Sequence, residues 1–260
     1  MAQPQPPDPA EVLDLRAPAP TRTTAYGPDA AQVYDVRVPP AGAPPRSLSV
    51  VVVHGGFWRP EYDRAHAGLQ AQAFADAGFA TAVLEYRRPG MPGGGWPGTP
   101  EDLATAVTAV RRDPAMGAGA PVLVGHSAGG QLSAWGAAQP WAHGLRGVVS
   151  LAGVLDLTHG AETGVGGDAI ATFLGGMPEQ VPAAYAAADP VRLAPGIPVV
   201  LVHARDDDVV PHEQSERYEA AHHGPSVRLV TVPAGGHYGL IDPRHPAFRE
   251  VLAAVDLLAS

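Results

Sequence analysis

The feature that most constrains this chain is a five-residue turn, Gly125-His126-Ser127-Ala128-Gly129, set between the apolar run Pro121-Val122-Leu123-Val124 and the small-residue stretch from Gly130 to Ala138. A G-x-S-x-G that leaves a buried strand and enters a helix forces its serine into a strained backbone conformation. It also brings neighbouring chain so close that the flanking positions must be almost free of side chain. Such a turn needs a strand before it and a helix after it, so it predicts an α/β architecture. It also sets Ser127 Oγ at the carboxyl edge of a sheet, a position for a nucleophile.

A second segment supports that placement. The run Ser49-Val50-Val51-Val52-Val53 leads straight into His54-Gly55-Gly56-Phe57-Trp58. Acyl transfer develops negative charge on the carbonyl oxygen, and backbone N–H groups aimed in advance at that oxygen stabilise the transition state. The amides of Gly56 and Phe57, with that of Ala128 after the serine, are the candidate oxyanion-hole donors. The plainer reading of His-Gly-Gly is a strand-to-loop turn; the downstream Ser127 turn favours the oxyanion loop.

A serine hydroxyl is a poor nucleophile until a base takes its proton, and the base needs an orienting carboxylate. Both follow in the chain. The strand from Pro198 to His203 ends in Ala204-Arg205-Asp206-Asp207-Asp208-Val209-Val210-Pro211, and the strand from Ser226 to Val232 leads to Pro233-Ala234-Gly235-Gly236-His237-Tyr238. His237 lies on a glycine-rich loop free to reach Ser127. Of three consecutive aspartates only one can point at it: Asp207 is preferred, Asp206 is the runner-up, and Asp208 reads as a solvated charge or a cap for the next helix. His203, at the end of a buried strand, and His212, His222 and His223, on or beside an exposed helix, read as structural or solvated. The order Ser127, Asp207, His237 belongs to one of the known triad folds and not to the others.

Taken together, His54-Gly55-Gly56-Phe57-Trp58, Gly125 to Gly130, the acid loop with its Asp four residues before Pro211, and Gly236-His237 resemble the α/β-hydrolase superfamily. The likeness is to its compact branch of arylformamidases (kynurenine formamidases) and small carboxylesterases. That branch also shows a Tyr-Gly-Pro near the start, here Tyr26-Gly27-Pro28, and the resemblance spans roughly residues 25 to 258. It implies a mostly parallel central sheet with helices on both faces and a small cap. It further implies a serine hydrolase acting through an acyl-enzyme on small esters or aryl N-formyl amides, without a cofactor. A lactonase or peptidase on the same triad, or a silent ligand-binding fold, are the alternatives.

Composition narrows the chemistry further. With no cysteine, disulfides, thiolate nucleophiles and Cys-ligated metal sites are excluded. All 17 basic residues are arginine, which closes Walker-type phosphate loops, pyridoxal Schiff bases and Ser-Lys dyads. His212-Glu213-Gln214-Ser215-Glu216 lacks the second histidine of a zinc-protease helix, so no metal is expected. The net charge of −9 disfavours nucleic acid and anionic membrane as partners, leaving a small-molecule ester or amide. No run of eighteen apolar residues occurs and Met1 to Pro9 lacks the regions of a signal peptide, so a cytoplasmic location is expected.

At 260 residues the chain suits one domain, residues 25–260, behind a Pro-rich tail over 1–24. Strands are expected near 33–39, 48–53, 80–86, 121–125, 147–152, 198–203 and 226–232, the first an antiparallel edge. Helices are expected near 62–77, 101–112, 128–139, 212–223 and 246–258. Residues 153–190 allow only a small cap, with a mobile stretch from Gly160 to Gly167 and short helical pieces at Phe173–Gly176 and Tyr185–Pro190. His126, Trp58, Trp96 and Tyr238 are the candidate pocket residues. Packing is the competing reading for Trp96, at even weight, and the favoured one for Trp58.

Overall fold

Alternation in the valine runs decides the architecture. In a strand, successive side chains face opposite sides, and in β3 (Val50–Val53) Val51 and Val53 join one hydrophobic cluster while Val50 and Val52 join another, all four being buried. A strand apolar on both faces must lie inside a sheet covered on both sides. That is the observed arrangement in the computed structural model, which describes residues 9–44 and 46–259. Residues 1–8, the start of the expected Pro-rich tail, lie outside the described residues.

The strands, in chain order, are β1 (Arg22–Ala25), β2 (Val33–Arg37), β3, β4 (Thr81–Leu84), β5 (Val122–His126), β6 (Gly147–Leu151), β7 (Val199–Ala204) and β8 (Val227–Val232). They form one sheet in the order β1-β2-β4-β3-β5-β6-β7-β8. β2 pairs antiparallel with both of its neighbours, and β3 to β8 are parallel. The helices are α1 (Gly68–Asp76), α2 (Gly98–Arg111), α3 (Ala128–Ala137), α4 (Leu157–Thr163), α5 (Ala169–Leu174), α6 (Pro182–Ala188), α7 (Glu213–Ala221) and α8 (Phe248–Ala259). Phe74 of α1 and Phe248, Val251 and Val255 of α8 pack on the Val50/Val52 face; Leu103 of α2, Leu132 of α3 and Tyr218 of α7 pack on the other.

Several expectations need correction. β2 is antiparallel but is not the edge, because Arg22–Ala25 adds a strand outside it. The boundary drawn between residues 24 and 25 therefore cuts β1. A four-residue strand with polar alternation carries little apolar signal, so pairing rather than pattern creates it. Nor is all of the described tail loose: Pro9–Leu13 is a 3-10 turn with Val12 fully buried. The segment expected as one helix over 62–77 is a 3-10 turn, Arg64–Ala67, capped by Asp63 accepting from the Ala65 amide at 2.8 Å, followed by α1. Residues 160–167 carry the last turn of α4 and a turn closed by Val165 N–H on Gly160 C=O at 2.8 Å. α4 to α6 together make the small cap between β6 and β7.

Candidate active site

The Ser127 turn has the geometry its glycines require. Ser127 sits at φ 55°, ψ −118° between β5 and α3, the left-handed region in which a residue with a side chain is strained. Its amide donates to Leu151 C=O in β6 at 2.8 Å, which ties the strained residue to the neighbouring strand. A Cβ on Gly125 would fall 2.0 Å from Gly129 C=O and one on Gly129 would fall 2.1 Å from Val53 C=O, so no side chain fits at either position. Ser127 Oγ is buried and has no hydrogen-bond partner among the described residues. It opens instead on a cavity of about 200 Å³ whose lining includes His126, His237, Tyr238, Gly56 and Phe57.

Among the three aspartates the structure discriminates sharply. Asp207 Oδ2 lies 2.8 Å from His237 Nδ1, while its Oδ1 accepts from the amides of Val209 and Val210 at 2.9 and 2.8 Å. His203 Nε2 reaches the same Oδ2 at 3.3 Å. Burial by itself would raise this carboxyl. The hydrogen bonds from His203 and His237, the charge of His237 and the Val210 amide outweigh burial and hold it well below the usual carboxylate range. Asp206 does different work: its Oδ1 accepts from the amides of Gly235 and Gly236 at 3.0 and 2.9 Å, clamping the loop that carries His237. Asp208 is exposed, and the N-cap position of α7 is taken by His212, which makes no side-chain cap bond there.

Two histidines differ from their sequence reading. His203 is more than a strand terminus, because it braces Asp207 from behind, with Nδ1 2.8 Å from Ser215 Oγ. Its place at the end of β7, four residues before Asp207, was the signal. His212 is buried rather than on an exposed face, 3.0 Å from Thr231 Oγ1 and 3.1 Å from Glu216.

The candidate pocket residues separate into three kinds. His126 and Tyr238 line the Ser127 cavity; His126 Nε2 also lies 2.9 Å from His237 C=O, which tethers the backbone of the candidate base. Burial, and then the neighbouring His237, lower His126 well below its ordinary value, so it stays neutral and donates this bond. Trp58 is buried and stacks on Phe173 of α5 at 4.5 Å between ring centroids, lining an adjoining cavity of about 420 Å³. Trp96 is not among the residues lining the Ser127 cavity. It packs edge-on to Trp135 and Phe173, at 5.8 and 6.3 Å, which favours the packing reading. Sequence reading missed Leu13, Tyr62 and His66, which close the Ser127 cavity, and Arg59, which lines both cavities.

Behind Gly55 and Gly56 stands a buried polar network. His54 Nδ1 lies 2.8 Å from Gly55 C=O and Nε2 lies 3.0 Å from Glu85 Oε1, with the ring stacked on Tyr86 at 4.3 Å. The Tyr86 hydroxyl donates to His54 C=O at 2.7 Å, and Arg88 bonds Glu85. A trans peptide carries its C=O and N–H on opposite sides, so pinning the Gly55 carbonyl fixes the direction of the Gly56 amide. Burial would raise Glu85, but the charge and hydrogen bond of His54, with Arg88 and the Arg64 amide, bring it down to about 2. Ala128 is the first residue of α3, where an amide has no intrahelical acceptor. Among the described residues no group of three or more His, Asp or Glu side chains is placed to hold a metal ion.

His66 carries a pH consequence. Burial, and then the nearby His54, lower it from 6.5 to about 4. Between those values the unfolded chain binds a proton that the folded chain refuses, so stability is full above pH 6.5 and is lost as pH falls toward 4. At ~1.4 kcal/mol per pKa unit the loss is about 3 kcal/mol. Thermal melts should be flat above pH 7 and drop below pH 6.5, with a shallower drop in His66→Asn. An equal slope in that variant would place the sensitivity elsewhere.

Comparison with known proteins gives a consistent picture. The BD-FAE family model matches residues 34–221. No curated protein sequence matches the chain. Among solved structures, a truncated carbohydrate esterase from gut microbiota superposes with a TM-score of 0.77 at 19% identity, covering 94% of this chain and 99% of the other. Esterase B of Lactobacillus rhamnosis, inhibited by a C4-C4 tributyrin phosphonate, gives 0.70 at 20% identity over 94% and 88%. A propionate-bound thermophilic esterase from Thermogutta terrifontis gives 0.67 at 22% identity over 91% and 92%. At these identities the likeness establishes a shared fold.

Proposed function

The chain belongs to the BD-FAE family, an α/β-hydrolase family, and from that membership we propose that it is a serine hydrolase that cleaves small carboxylic esters through an acyl-enzyme. The observation that carries this reading is the convergence on one cavity of a strained, unpartnered Ser127 and a His237 held at Nδ1 by an ionised Asp207. Ser127 Oγ attacks the carbonyl carbon while His237 Nε2 takes its proton. The amides of Gly56, Phe57 and Ala128 receive the oxyanion. His237 then returns the proton to the leaving alcohol, and water repeats the sequence on the acyl-enzyme. The Ser127–His237 hydrogen bond forms on substrate binding, as such bonds often tighten only in the complex.

Substrate size follows from the walls. A cavity of about 200 Å³, closed by Leu13, Tyr62 and His66, suits a formyl to butyryl group, and the adjoining cavity along Trp58 and α5 suits a medium-sized leaving group. The propionate- and C4-bound esterases of the same fold agree with a short acyl group. Aryl N-formyl amides are the second substrate class, because formyl is the smallest acyl group and passes through the same tetrahedral oxyanion.

The test is kcat/KM across p-nitrophenyl esters from acetate to palmitate, with N-formylkynurenine included. Values should fall once the acyl chain outgrows the cavity of about 200 Å³, because forcing it in displaces the walls, and methylenes left outside gain none of the about 0.8 kcal/mol each that burial supplies. A preference for chains beyond about eight carbons would overturn the compact pocket, and no turnover of the formyl amide would leave an esterase alone.

A further inference from the structure

The three residues after His54-Gly55-Gly56 are each held by the cap, and two of them occupy a backbone conformation that needs holding. Phe57 and Trp58 have φ of 50° and 53°. A residue with a side chain is strained there and persists only where its surroundings over-determine it. The Phe57 ring lies against the backbone of Gly166: a Cβ built there would fall 2.4 Å from Phe57 Cε1. The Trp58 ring lies within 4° of parallel to that of Phe173. Arg59 donates to Gly166 C=O at 3.0 Å and pairs with Asp168 at 3.4 Å.

The cap can act as a fixed surface because it is itself anchored. Trp96 N–H donates to Phe173 C=O at 2.9 Å. Arg217 of α7 bonds Asp156 at 2.7 Å, and Gln214 Oε1 accepts from the Asp156 amide at 2.8 Å, so the start of α4 is tied to α7. The polypeptide between β6 and β7 thus grips the backbone that presents the Phe57 amide to the Ser127 cavity.

We infer that the cap sets the oxyanion loop in its working conformation, with Gly166 and Phe173 as positioning residues that act through Phe57 and Trp58. This rests on the reading of the Phe57 amide as an oxyanion donor. A donor that drifts by about an ångström loses much of its transition-state stabilisation while ground-state binding barely changes. The cap therefore governs kcat more than KM.

Two glycines of one loop make a matched test. Gly166 and Gly164 both have positive φ, 69° and 79°, which alanine disfavours, but a Cβ on Gly164 meets nothing within 4 Å. With p-nitrophenyl acetate, Gly166→Ala should lower kcat about 100-fold with KM within about threefold, whereas Gly164→Ala stays near wild type. Phe173→Leu, which removes the stacking face, should lower kcat at least about tenfold in the same manner, and decides the matter if Gly166→Ala does not fold. Equal kcat in the two glycine variants, a loss confined to KM, or an unchanged Phe173→Leu would overturn the clamp. A wild-type protein that turns over no ester and takes up no fluorophosphonate would instead overturn the hydrolase reading, and the clamp with it.

Discussion

Replacing Ser127 by alanine is expected to lower kcat by roughly 10⁴ to 10⁶ while leaving substrate binding almost intact. The asymmetry follows from the geometry. The serine contributes one oxygen to the cavity wall, and His126, Tyr238, Gly56 and Phe57 still line it when that oxygen is gone. The residual rate comes from positioning and the oxyanion donors. The strained φ of 55° at position 127 remains in the variant, so the change should neither relax the turn nor unfold it. A fluorophosphonate should label the wild-type protein at Ser127 and leave the variant unlabelled. An adduct found at another residue, or near-normal turnover by Ser127→Ala, would overturn the assignment of Ser127 as nucleophile and the serine-hydrolase reading with it.

For the acid, Asp207→Asn should lower kcat by about 10⁴. The two oxygens of Asp207 face different partners. Oδ1 accepts two backbone amides, of Val209 and Val210, and Oδ2 faces His237 and His203. An asparagine must place its oxygen on the amides and its NH₂ toward the imidazoles. His237 Nδ1 then becomes an acceptor, the proton moves to Nε2, and the nitrogen facing Ser127 can no longer take one. Asp206→Asn should be mild, since an amide oxygen still accepts from Gly235 and Gly236, and Asp208→Asn milder, since that residue is exposed. Comparison of kcat for the three variants checks the order; a larger effect at 206 than at 207 would transfer the acid role to the clamp residue.

What the sequence determined by itself was local or ordered along the chain. The strand–turn–helix around Ser127 follows from apolar run, small residues and glycines, and the order serine, aspartate, histidine restricts the fold to one class. The preference for Asp207 over its neighbours came instead from the resemblance, whose acid loop sets its Asp four residues before a proline. Strands buried on both faces read as short continuous apolar runs bounded by turn residues, so the six parallel strands could be placed to within a few residues.

Tertiary structure decided whatever depends on segments far apart in sequence. β1 exists because Arg22–Ala25 finds an open edge on β2. Leu13 becomes a cavity wall because Val12 is drawn into the core. Asp206 acquires its clamping role only when the loop after β7 and the His237 loop lie side by side. Trp58 and Trp96, which sequence could only offer as wall or packing, are assigned by Phe173, more than seventy residues downstream. Periodicity and turn chemistry act over a few residues, while contacts between distant segments are set by how the whole sheet and its two helical layers pack.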